Sequence, residues 1–383
     1  MFLPMMKQEN PALIDAGIQL HQSGQILPDT YVLDLDTIIS NGTVMLERAK
    51  KEGIDLFFML KQIGRNPLIA KELMAIGYRG AVVVDFKEAL IMMENHIPLC
   101  NVGHLVQIPD SLLEKIMLYG TEYMTVYSME KLEKIQAIAK KHGMKQKVLL
   151  KVVDDEDQIY EGQFGGFLLK HLAEESKAFH QFDAIEFSGI TSFPCFLFDD
   201  RYTTLSQTNN VKTIEAAKKI LCEEGFPISE LNVPSASCST TIPFIKEIGG
   251  TQAEPGHALT GTTPLHAYKK QPEKPALLYV SEISHNFKGK SYFYGGGYYR
   301  RGHLNSVMIG DTRRQVEDQV ERFSDESIDY YLSTPSEHPV GETVIAAFRT
   351  QIFVTRSDVA VVKGISQGKP EILGIFDSRG RRI

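Results

Sequence analysis

The 383-residue sequence contains no tryptophan and only four cysteines, and no two cysteines have CxxC spacing. This pattern indicates neither a disulfide framework nor a zinc site. No apolar run reaches the ~18 to 20 residues that a membrane-spanning helix needs, and the amino terminus has no basic segment leading into a continuous apolar stretch. These absences predict a cytoplasmic protein without membrane partners.

Positive charge is also scarce, because 41 Lys and Arg face 48 Asp and Glu, for a net charge of -7. A chain with no basic stripe has little to neutralise a phosphate backbone, so nucleic acid is not an expected partner. No internal repeat or low-complexity tract is present. The length exceeds that of one ordinary core and predicts one large domain with a smaller one.

From about residue 55 to Gly261, short apolar runs alternate with amphipathic helical stretches, as is typical of βα units around a parallel sheet. Helices are expected at 67–77, 128–143 and 210–225, each ending in a glycine suited to a left-handed C-cap. The strands predict an α/β fold, a (β/α)8 TIM-type barrel. They are expected at 55–61, 80–85, 98–104, 122–127, 147–153, 184–192, 230–235 and 250–254.

After Gly261 the pattern changes to β-rich runs separated by glycine clusters. This pattern predicts a second, mainly antiparallel β domain. The strand-like segment 31–36 is a candidate to pair with that domain. The expected order is an N-terminal helical extension at 1–30, the barrel at 31–266 and the β domain at 275–383. Strands of the β domain are expected at 276–283, 291–299, 344–354 and 360–364.

Lys61 ends the apolar run LFFMLK, at the carboxyl end of the first predicted barrel strand. Barrels of this kind place their chemistry at that end of the strands, and a desolvated lysine there can form a Schiff base. A lysine that simply leaves the strand for solvent is the alternative.

The ends of the seventh and eighth predicted strands are rich in polar groups. Residues 235–241 read SASCSTT, a run that either binds an anion or simply caps a helix. Glu254 precedes the turn at Pro255-Gly256. Loops after strands seven and eight often hold phosphate in barrels. A lysine, a phosphate site and a carboxylate together indicate pyridoxal 5'-phosphate, with Glu254 placed to keep the pyridine nitrogen protonated.

Five segments carry a resemblance to a known family: LKQIGRNP around Lys61, GHLVQIP at 103–109, AEPGHALTGT at 253–262, YGGGYYRRGH at 294–303 and FRTQIFVTRSD at 348–358. With them the chain resembles, over nearly its whole length, the alanine racemase-like (fold-type III) pyridoxal phosphate enzymes, and most closely their YhfX-like branch. The resemblance implies a cofactor barrel followed by a β domain, an amino-acid-like small-molecule substrate and a head-to-tail homodimer.

The resemblance also implies site residues. Lys61 and Tyr294 would be the two opposed bases, while Tyr292, Tyr298 and Tyr299 are expected to pack in the β domain. No metal site is expected, since FRTQ lacks the cysteine that metal-binding relatives carry. Arg349 and Arg356 are candidates for a substrate anion. The residues expected to bind the cofactor are Lys61, Arg65, His104, Ser235, Ser237, Thr240, Glu254, Gly256 and His257.

Several departures from alanine racemase affect the expected site. Glu254 stands where that family has an arginine against the pyridine nitrogen, which widens the possible chemistry. Arg65 stands where it has a tyrosine for the phosphate, and Gln163 stands where it has an arginine near the phenolic oxygen. The leading expectation is an amino-acid racemase or epimerase. A decarboxylase or lyase is the alternative, because a protonated ring supports those reactions as well. A non-catalytic cofactor-binding protein and a phosphosugar barrel without a cofactor remain open.

Overall fold

The computed structural model describes residues 1–199, 204–322, 324 and 326–383. Its helices in these residues are α1 (Leu3–Glu9), α2 (Pro11–Gln22), α3 (Leu35–Glu52), α4 (Pro67–Ala75), α5 (Phe86–Glu94), α6 (Asp110–Leu118), α7 (Met129–Lys141), α8 (Leu169–Phe179), α9 (Asn210–Glu223), α10 (Ile242–Glu247) and α11 (Pro264–Tyr268). Short 3-10 helices span Lys61–Ile63, His257–Thr260, Ile352–Val354 and Ile365–Gln367. No helix of the described part is long and apolar enough to cross a membrane.

The strands of the described residues are β1 (Thr30–Asp34), β2 (Asp55–Leu56), β3 (Ala81–Val83), β4 (Leu99–Val102), β5 (Tyr123–Val126), β6 (Gln146–Val153), β7 (Phe167–Leu168), β8 (Ile185–Thr191), β9 (Phe196–Asp199), β10 (Thr204–Gln207), β11 (Glu230–Asn232), β12 (Gln252–Ala253), β13 (Leu277–Phe287), β14 (Lys290–Tyr294), β15 (Ser306–Gly310), β16 (Gln315–Gln319), β17 (Tyr331–Thr334), β18 (Thr343–Ala346), β19 (Asp358–Lys363) and β20 (Glu371–Phe376).

The chain forms two compact units. The first, called the β unit below, contains Met1–Val44, Lys61–Ile69 and His257–Ile383. The second, called the barrel unit, contains Met45–Leu60 and Ala70–Gly256.

The barrel unit contains a parallel sheet in the order β2-β12-β11-β8-β6-β5-β4-β3. A parallel bridge between Phe58 and Ala81 links its two ends. All eight predicted barrel strands are present, so the (β/α)8 fold expected from the sequence is confirmed. Most strands are shorter than predicted. The seventh strand, for example, was expected at 230–235, but its parallel ladder ends at Asn232.

Local signals explain where the barrel helices begin and end. The Ser128 side chain accepts a hydrogen bond from the backbone N of Lys131 and caps α7. Gly77, Gly143 and Gly225 follow α4, α7 and α9 with φ of 109°, 60° and 90°. Residues with a Cβ rarely adopt this left-handed conformation, so these glycines allow the chain to turn out of each helix.

The β unit contains a sheet in the order β16-β15-β18-β13-β1-β19-β20, and β14 joins it by pairing with both β13 and β17. Every pair is antiparallel except β1 with β19. The strand expected at 31–36 is β1, which lies between β13 and β19. Buried residues of α1 and α2, such as Met6 and Ile18, belong to one apolar cluster with Val280 and Ile345 of this sheet.

Two strand predictions for the β unit were too long. The strand expected at 291–299 ends at Tyr294, because a turn follows in which the Tyr298 backbone N donates to the Gly295 carbonyl oxygen. The strand expected at 344–354 ends at Ala346, and the segment Ile352–Val354 forms a 3-10 turn. Strands β15, β16, β17 and β20 were not predicted.

Candidate active site

Lys61 lies in the β unit, where it begins the 3-10 turn Lys61–Ile63. The expectation that it ends a strand was therefore wrong, since β2 ends at Leu56. The turn is anchored by Thr350, whose hydroxyl donates to the Gln62 carbonyl oxygen at 2.8 Å. The Lys61 side chain is half-buried and its charge acts on His257. Lys61 thus sits at an anchored turn beside an imidazole.

His257 lies in the same unit and has hydrogen-bond partners on both ring nitrogens. Its Nε2 is 3.3 Å from Arg349 Nε and 3.3 Å from Gln351 Nε2, both of which donate. Its Nδ1 is 3.3 Å from the Thr262 hydroxyl. A ring nitrogen that accepts carries no proton, so the neutral ring has its hydrogen on Nδ1. Burial lowers the pKa of His257 well below its ordinary value, and the charges of Arg349 and Lys61 lower it further.

Arg65 is buried and follows Gly64 in a left-handed turn, with φ of 74° at Gly64 and 55° at Arg65. The guanidinium carbon of Arg65 lies 4.9 Å from the centre of the Phe353 ring, a cation–π contact. A Cβ on Gly64 would press on Val359 and Ile352 at 3.1 and 3.2 Å. The turn therefore needs glycine both for its conformation and for its close packing.

Tyr294 is the last residue of β14, and its ring lies 5.6 Å from that of Tyr331 on β17. Its carbonyl oxygen accepts hydrogen bonds from Tyr279 and Ser281 at 2.9 and 2.8 Å. Of the tyrosines expected to pack, Tyr292 stacks on His285 with ring centres 4.9 Å apart.

Tyr298 lies further along the same segment and contacts Phe348, with ring centres 6.0 Å apart. Arg356, one of the two candidates for a substrate anion, donates to the Asp329 carbonyl oxygen at 2.9 Å. Its guanidinium carbon lies 5.8 Å from the Tyr330 ring centre.

Glu254 is buried in the barrel unit, where two asparagines hold its carboxylate. Asn101 and Asn232 donate to the same oxygen, Oε1, at 3.1 and 3.0 Å. The asparagine oxygens in turn accept from Thr125 and Thr191 at 2.8 and 2.9 Å, which fixes both amides with their NH2 groups toward Glu254. Both amides therefore present N–H donors to Oε1, which accepts the two hydrogen bonds.

The second oxygen of Glu254, Oε2, has no such donors in the described part of the chain and faces His104. Oε2 is buried and makes no hydrogen bond to any described residue. It lies 3.7 Å from Nε2 of His104, which is also buried and meets the Phe193 ring edge-to-face at 5.6 Å. A buried carboxylate oxygen without a hydrogen bond is costly. This oxygen fits the protonated pyridine nitrogen of pyridoxal phosphate, which has one N–H to donate.

The loop at 235–241 leads into a helix, as the sequence suggested, but that helix is short. The helix that follows, α10, has six residues, so its dipole offers little to an anion. Ser235 and Ala236 have φ of 108° and 48°, which bends the loop sharply. The Ser235 hydroxyl accepts from the Phe196 backbone N at 3.0 Å, and the Ser237 hydroxyl accepts from the Glu254 backbone N at 3.2 Å.

The remaining loop positions differ in exposure. Thr240 is exposed and Gly256 is half-buried. The Ser237 contact ties this loop directly to the strand end that carries Glu254.

Three polar residues of the barrel were missed from the sequence. Asn101 stands in the otherwise apolar strand β4, and Asn232 lies between the buried Leu231 and Val233, and this contrast was the available signal. Lys151 is a buried lysine on β6 whose Nζ donates to the Gln163 carbonyl oxygen at 3.0 Å and lies 4.5 Å from the Tyr127 ring centre. Burial lowers its pKa to about 8.

No group of three or more metal-ligating side chains was found in the part of the chain that the structure describes. His338 of the β unit is 2.8 Å from Asp318, Nε2 to Oδ2.

Two family descriptions match this chain. "Alanine racemase, N-terminal domain" matches residues 33–264, and "YhfX-like, C-terminal domain" matches residues 278–372. A protein of Escherichia coli (strain K12), described as "Uncharacterized protein YhfX", is 45% identical over 385 residues, covering 100% of both chains.

Solved structures with the same fold are named for different activities. D-threonine aldolase from Filomicrobium marinum has a TM-score of 0.69 at 16% identity, covering 92% of this chain and 95% of that one. Alanine racemase of Clostridium difficile 630 in complex with cycloserine has 0.66 at 19% identity, covering 92% and 99%. A metal-free variant of D-threo-3-hydroxyaspartate dehydratase has 0.65 at 14% identity, covering 91% and 97%. At these identities the likeness shows the fold alone.

Proposed function

Since this chain belongs to the family that joins an alanine racemase N-terminal domain to a YhfX-like C-terminal domain, we propose that it is a pyridoxal phosphate-dependent enzyme acting at the α-carbon of an amino acid. The reaction proposed first is racemisation or epimerisation. Alanine racemase-like proteins form a fold family of pyridoxal phosphate enzymes. The particular reaction varies among members of this fold, as the names of its solved structures state.

The observation that carries the proposal is the carboxylate of Glu254. Two asparagine amides bind one of its oxygens, and the other is buried without a hydrogen bond from any described residue. Such an oxygen is suited to accept from a cationic N–H, because a charge-assisted bond is the strongest kind available to it. The pyridinium of the cofactor is a cation of this type. A sugar phosphate alone would leave this carboxylate without a role.

The residues proposed to hold the cofactor are those expected from the sequence, except His257. Lys61 would carry it covalently, and Ser235, Ser237, Thr240, Gly256 and Arg65 would contact its phosphate. His104 would lie against the ring beside Glu254. Bound pyridoxal phosphate supplies an electron sink that makes the α-hydrogen of an amino acid acidic.

Two side chains would move the α-proton from opposite sides. Lys61 Nζ is the base on one face, and the Tyr294 hydroxyl of a second copy of this chain is the base on the other. Two opposed groups allow inversion because one removes the α-proton from one face and the conjugate acid of the other delivers a proton to the opposite face. The proposal therefore includes a head-to-tail homodimer, with the β unit of each copy supplying its Tyr294.

His257 is proposed to act near Lys61 as a positioning residue. Its neutral ring accepts from Arg349 and so fixes the direction of that guanidinium. Arg349 is our candidate for the substrate carboxylate, because a planar guanidinium matches a carboxylate with two parallel N–H donors.

The test is α-hydrogen exchange in deuterium oxide. Purified protein loaded with pyridoxal phosphate is incubated with both enantiomers of a panel of amino acids, and each is followed by mass spectrometry and chiral chromatography. We expect at least one amino acid to take up a single deuterium and to invert its configuration at the α-carbon. No exchange with any member of a broad panel would contradict the proposal.

Decarboxylation or lyase chemistry is the second candidate, since Glu254 favours a protonated ring, which also supports those reactions. The same incubations separate the candidates. Release of carbon dioxide or of a keto acid, without formation of the opposite enantiomer, would support this candidate against racemisation.

A further inference from the structure

We propose that Asp29, Tyr279 and Ser281 form a clamp that positions Tyr294 by fixing the backbone on its C-terminal side. The clamp lies wholly within the β unit. It deepens the proposed function, because it rests on Tyr294 being the second base. None of its three side chains would touch substrate, so all are positioning residues.

The first half of the clamp binds the carbonyl group of Tyr294 itself. Tyr279 and Ser281 are two residues apart on β13, so their side chains leave the strand on the same face. Both hydroxyls reach the Tyr294 carbonyl oxygen, at 2.9 and 2.8 Å. Tyr279 and Ser281 are almost wholly buried, so water cannot easily replace either donor. Two buried donors on one carbonyl hold its peptide plane in a single orientation.

The second half of the clamp packs against Gly296 and Gly297, the last two of the three glycines that follow. Asp29 has a φ of 66°, and its carboxylate accepts from Tyr279 at 3.0 Å and from the Ser357 hydroxyl. A Cβ on Gly296 would collide with that carboxylate, and a Cβ on Gly297 would collide with the Tyr279 ring and the Ser357 hydroxyl. The clamp therefore explains why these two positions are glycine.

Further bonds join the glycines to the same cluster. The Gly297 backbone N donates to the Tyr279 hydroxyl at 3.4 Å, and Tyr31 donates to the Gly297 carbonyl oxygen. The Arg356 backbone N donates to the Gly296 carbonyl oxygen at 3.3 Å. The backbone after Tyr294 is thus held at Gly296 and Gly297, while the Tyr294 ring itself contacts Tyr331.

Tyr279 is suited to this role because it stays a neutral donor. Burial raises the pKa of Tyr279 well above its ordinary value, and the nearby Asp29 carboxylate raises it further. Burial also raises the pKa of Asp29. One hydroxyl hydrogen serves two acceptors, Asp29 and the Tyr294 carbonyl. A proton on Asp29 would supply the missing hydrogen.

The experiment compares Tyr279→Phe, Ser281→Ala and the double variant with a matched control, Tyr119→Phe. Tyr119 also donates its hydroxyl to a backbone carbonyl, that of Ile97 at 3.0 Å, but in the barrel unit. Amide hydrogen exchange of the cofactor-free proteins reports directly on the clamp. We expect exchange at residues 295–298 to become about five- to tenfold faster in each single variant, and faster still in the double variant. The control should leave it unchanged.

A second readout connects the clamp to catalysis. In the cofactor-loaded variants, the enantiomer that Lys61 deprotonates should still take up α-deuterium, whereas the rate of inversion of configuration should fall at least about tenfold. The ratio of exchange to inversion therefore rises. Loss of structure in general would lower both rates together.

The two readouts separate failure of the clamp from failure of the proposed function. Unchanged amide exchange at 295–298 in all three variants would overturn the clamp, whatever the activity. Faster amide exchange with an unchanged exchange-to-inversion ratio would overturn its role in positioning Tyr294. A wild-type protein that exchanges no α-hydrogen would contradict the proposed function, and with it the catalytic part of this inference.

Discussion

The imidazole Nε2 of His257 accepts a hydrogen bond from the guanidinium Nε of Arg349 at 3.3 Å. The bond exists only while that nitrogen has no proton. Burial and two neighbouring cations keep it so by lowering the pKa of His257. Protonation would replace an attraction with a repulsion and would release Arg349.

The first prediction concerns the pH dependence of unfolding. In the unfolded chain His257 takes up a proton near pH 6.5, whereas in the folded protein its pKa lies well below that value. The unfolded state therefore binds more protons, and the free energy of unfolding falls as pH drops below about 6.5. One such group contributes up to about 1.4 kcal/mol per pH unit.

Urea unfolding of the cofactor-free protein between pH 8 and pH 5 measures this effect. His257→Gln should show a shallower fall than the wild type, while replacement of the exposed His171 by Gln should leave the slope unchanged. His21, whose pKa is also lowered by burial, accounts for part of the slope that remains. Equal slopes for His257→Gln and the wild type would refute the prediction.

The second prediction is for Glu254→Gln, which keeps the shape of the side chain but removes its charge. The variant should still acquire the absorbance band of the bound cofactor, while α-deuterium uptake falls roughly 10- to 100-fold. That range corresponds to the loss of one charge-assisted hydrogen bond, worth about 1.5 to 3 kcal/mol. Exchange at the wild-type rate would show that the carboxylate has no part in the chemistry.

The third prediction is for Asn101→Ala, which removes one of the two donors to Glu254 Oε1. Both the carboxylate and the Thr125 hydroxyl lose a buried partner, so the free energy of unfolding should fall by about 1 to 3 kcal/mol. Asn95→Ala is the control, because Asn95 is half-buried and donates to the Ile91 carbonyl oxygen at the end of α5. It should cost about 1 kcal/mol or less. Urea midpoints at pH 7.5 compare the two, and equal losses would argue against the network.

The fourth prediction is for Tyr294→Phe. In this variant one enantiomer should still take up deuterium, while the rate of inversion of configuration should fall about 100-fold or more, since a general base contributes about 10²- to 10⁴-fold. Tyr292→Phe should behave like the wild type, because Tyr292 stacks on His285. If Tyr294→Phe inverts its substrate normally, another group is the second base.

The barrel was predictable because each of its strands is a short apolar run bounded by turn residues. Gly143 and Gly225 marked helix ends, because glycine readily adopts the left-handed conformation with which many helices end. The β unit was less readable. Strand β16, for example, consists mainly of polar residues, Gln315–Gln319, so its sequence lacks apolar alternation.

The candidate site divides along similar lines. Lys61, Glu254 and the hydroxyl loop were visible in the sequence as polar residues that follow short apolar runs. The partners that orient them were not. Asn101 and Asn232 act through bonds to Glu254, a residue more than 20 positions distant in each case. Asp29 acts on the glycine segment from about 270 residues away, and only the fold brings such groups together.

The most direct test of the whole account is the absorbance spectrum between about 300 and 500 nm of protein purified with pyridoxal phosphate. Wild type, Lys61→Ala and Lys151→Met are compared, since Lys151 is a buried lysine of the barrel unit whose lowered pKa would also suit it to form a Schiff base. We expect a visible band in the wild type and in Lys151→Met, and none in Lys61→Ala. A band that persists in Lys61→Ala, or one absent from the reconstituted wild type, would contradict the assignment of Lys61 as the residue that carries the cofactor.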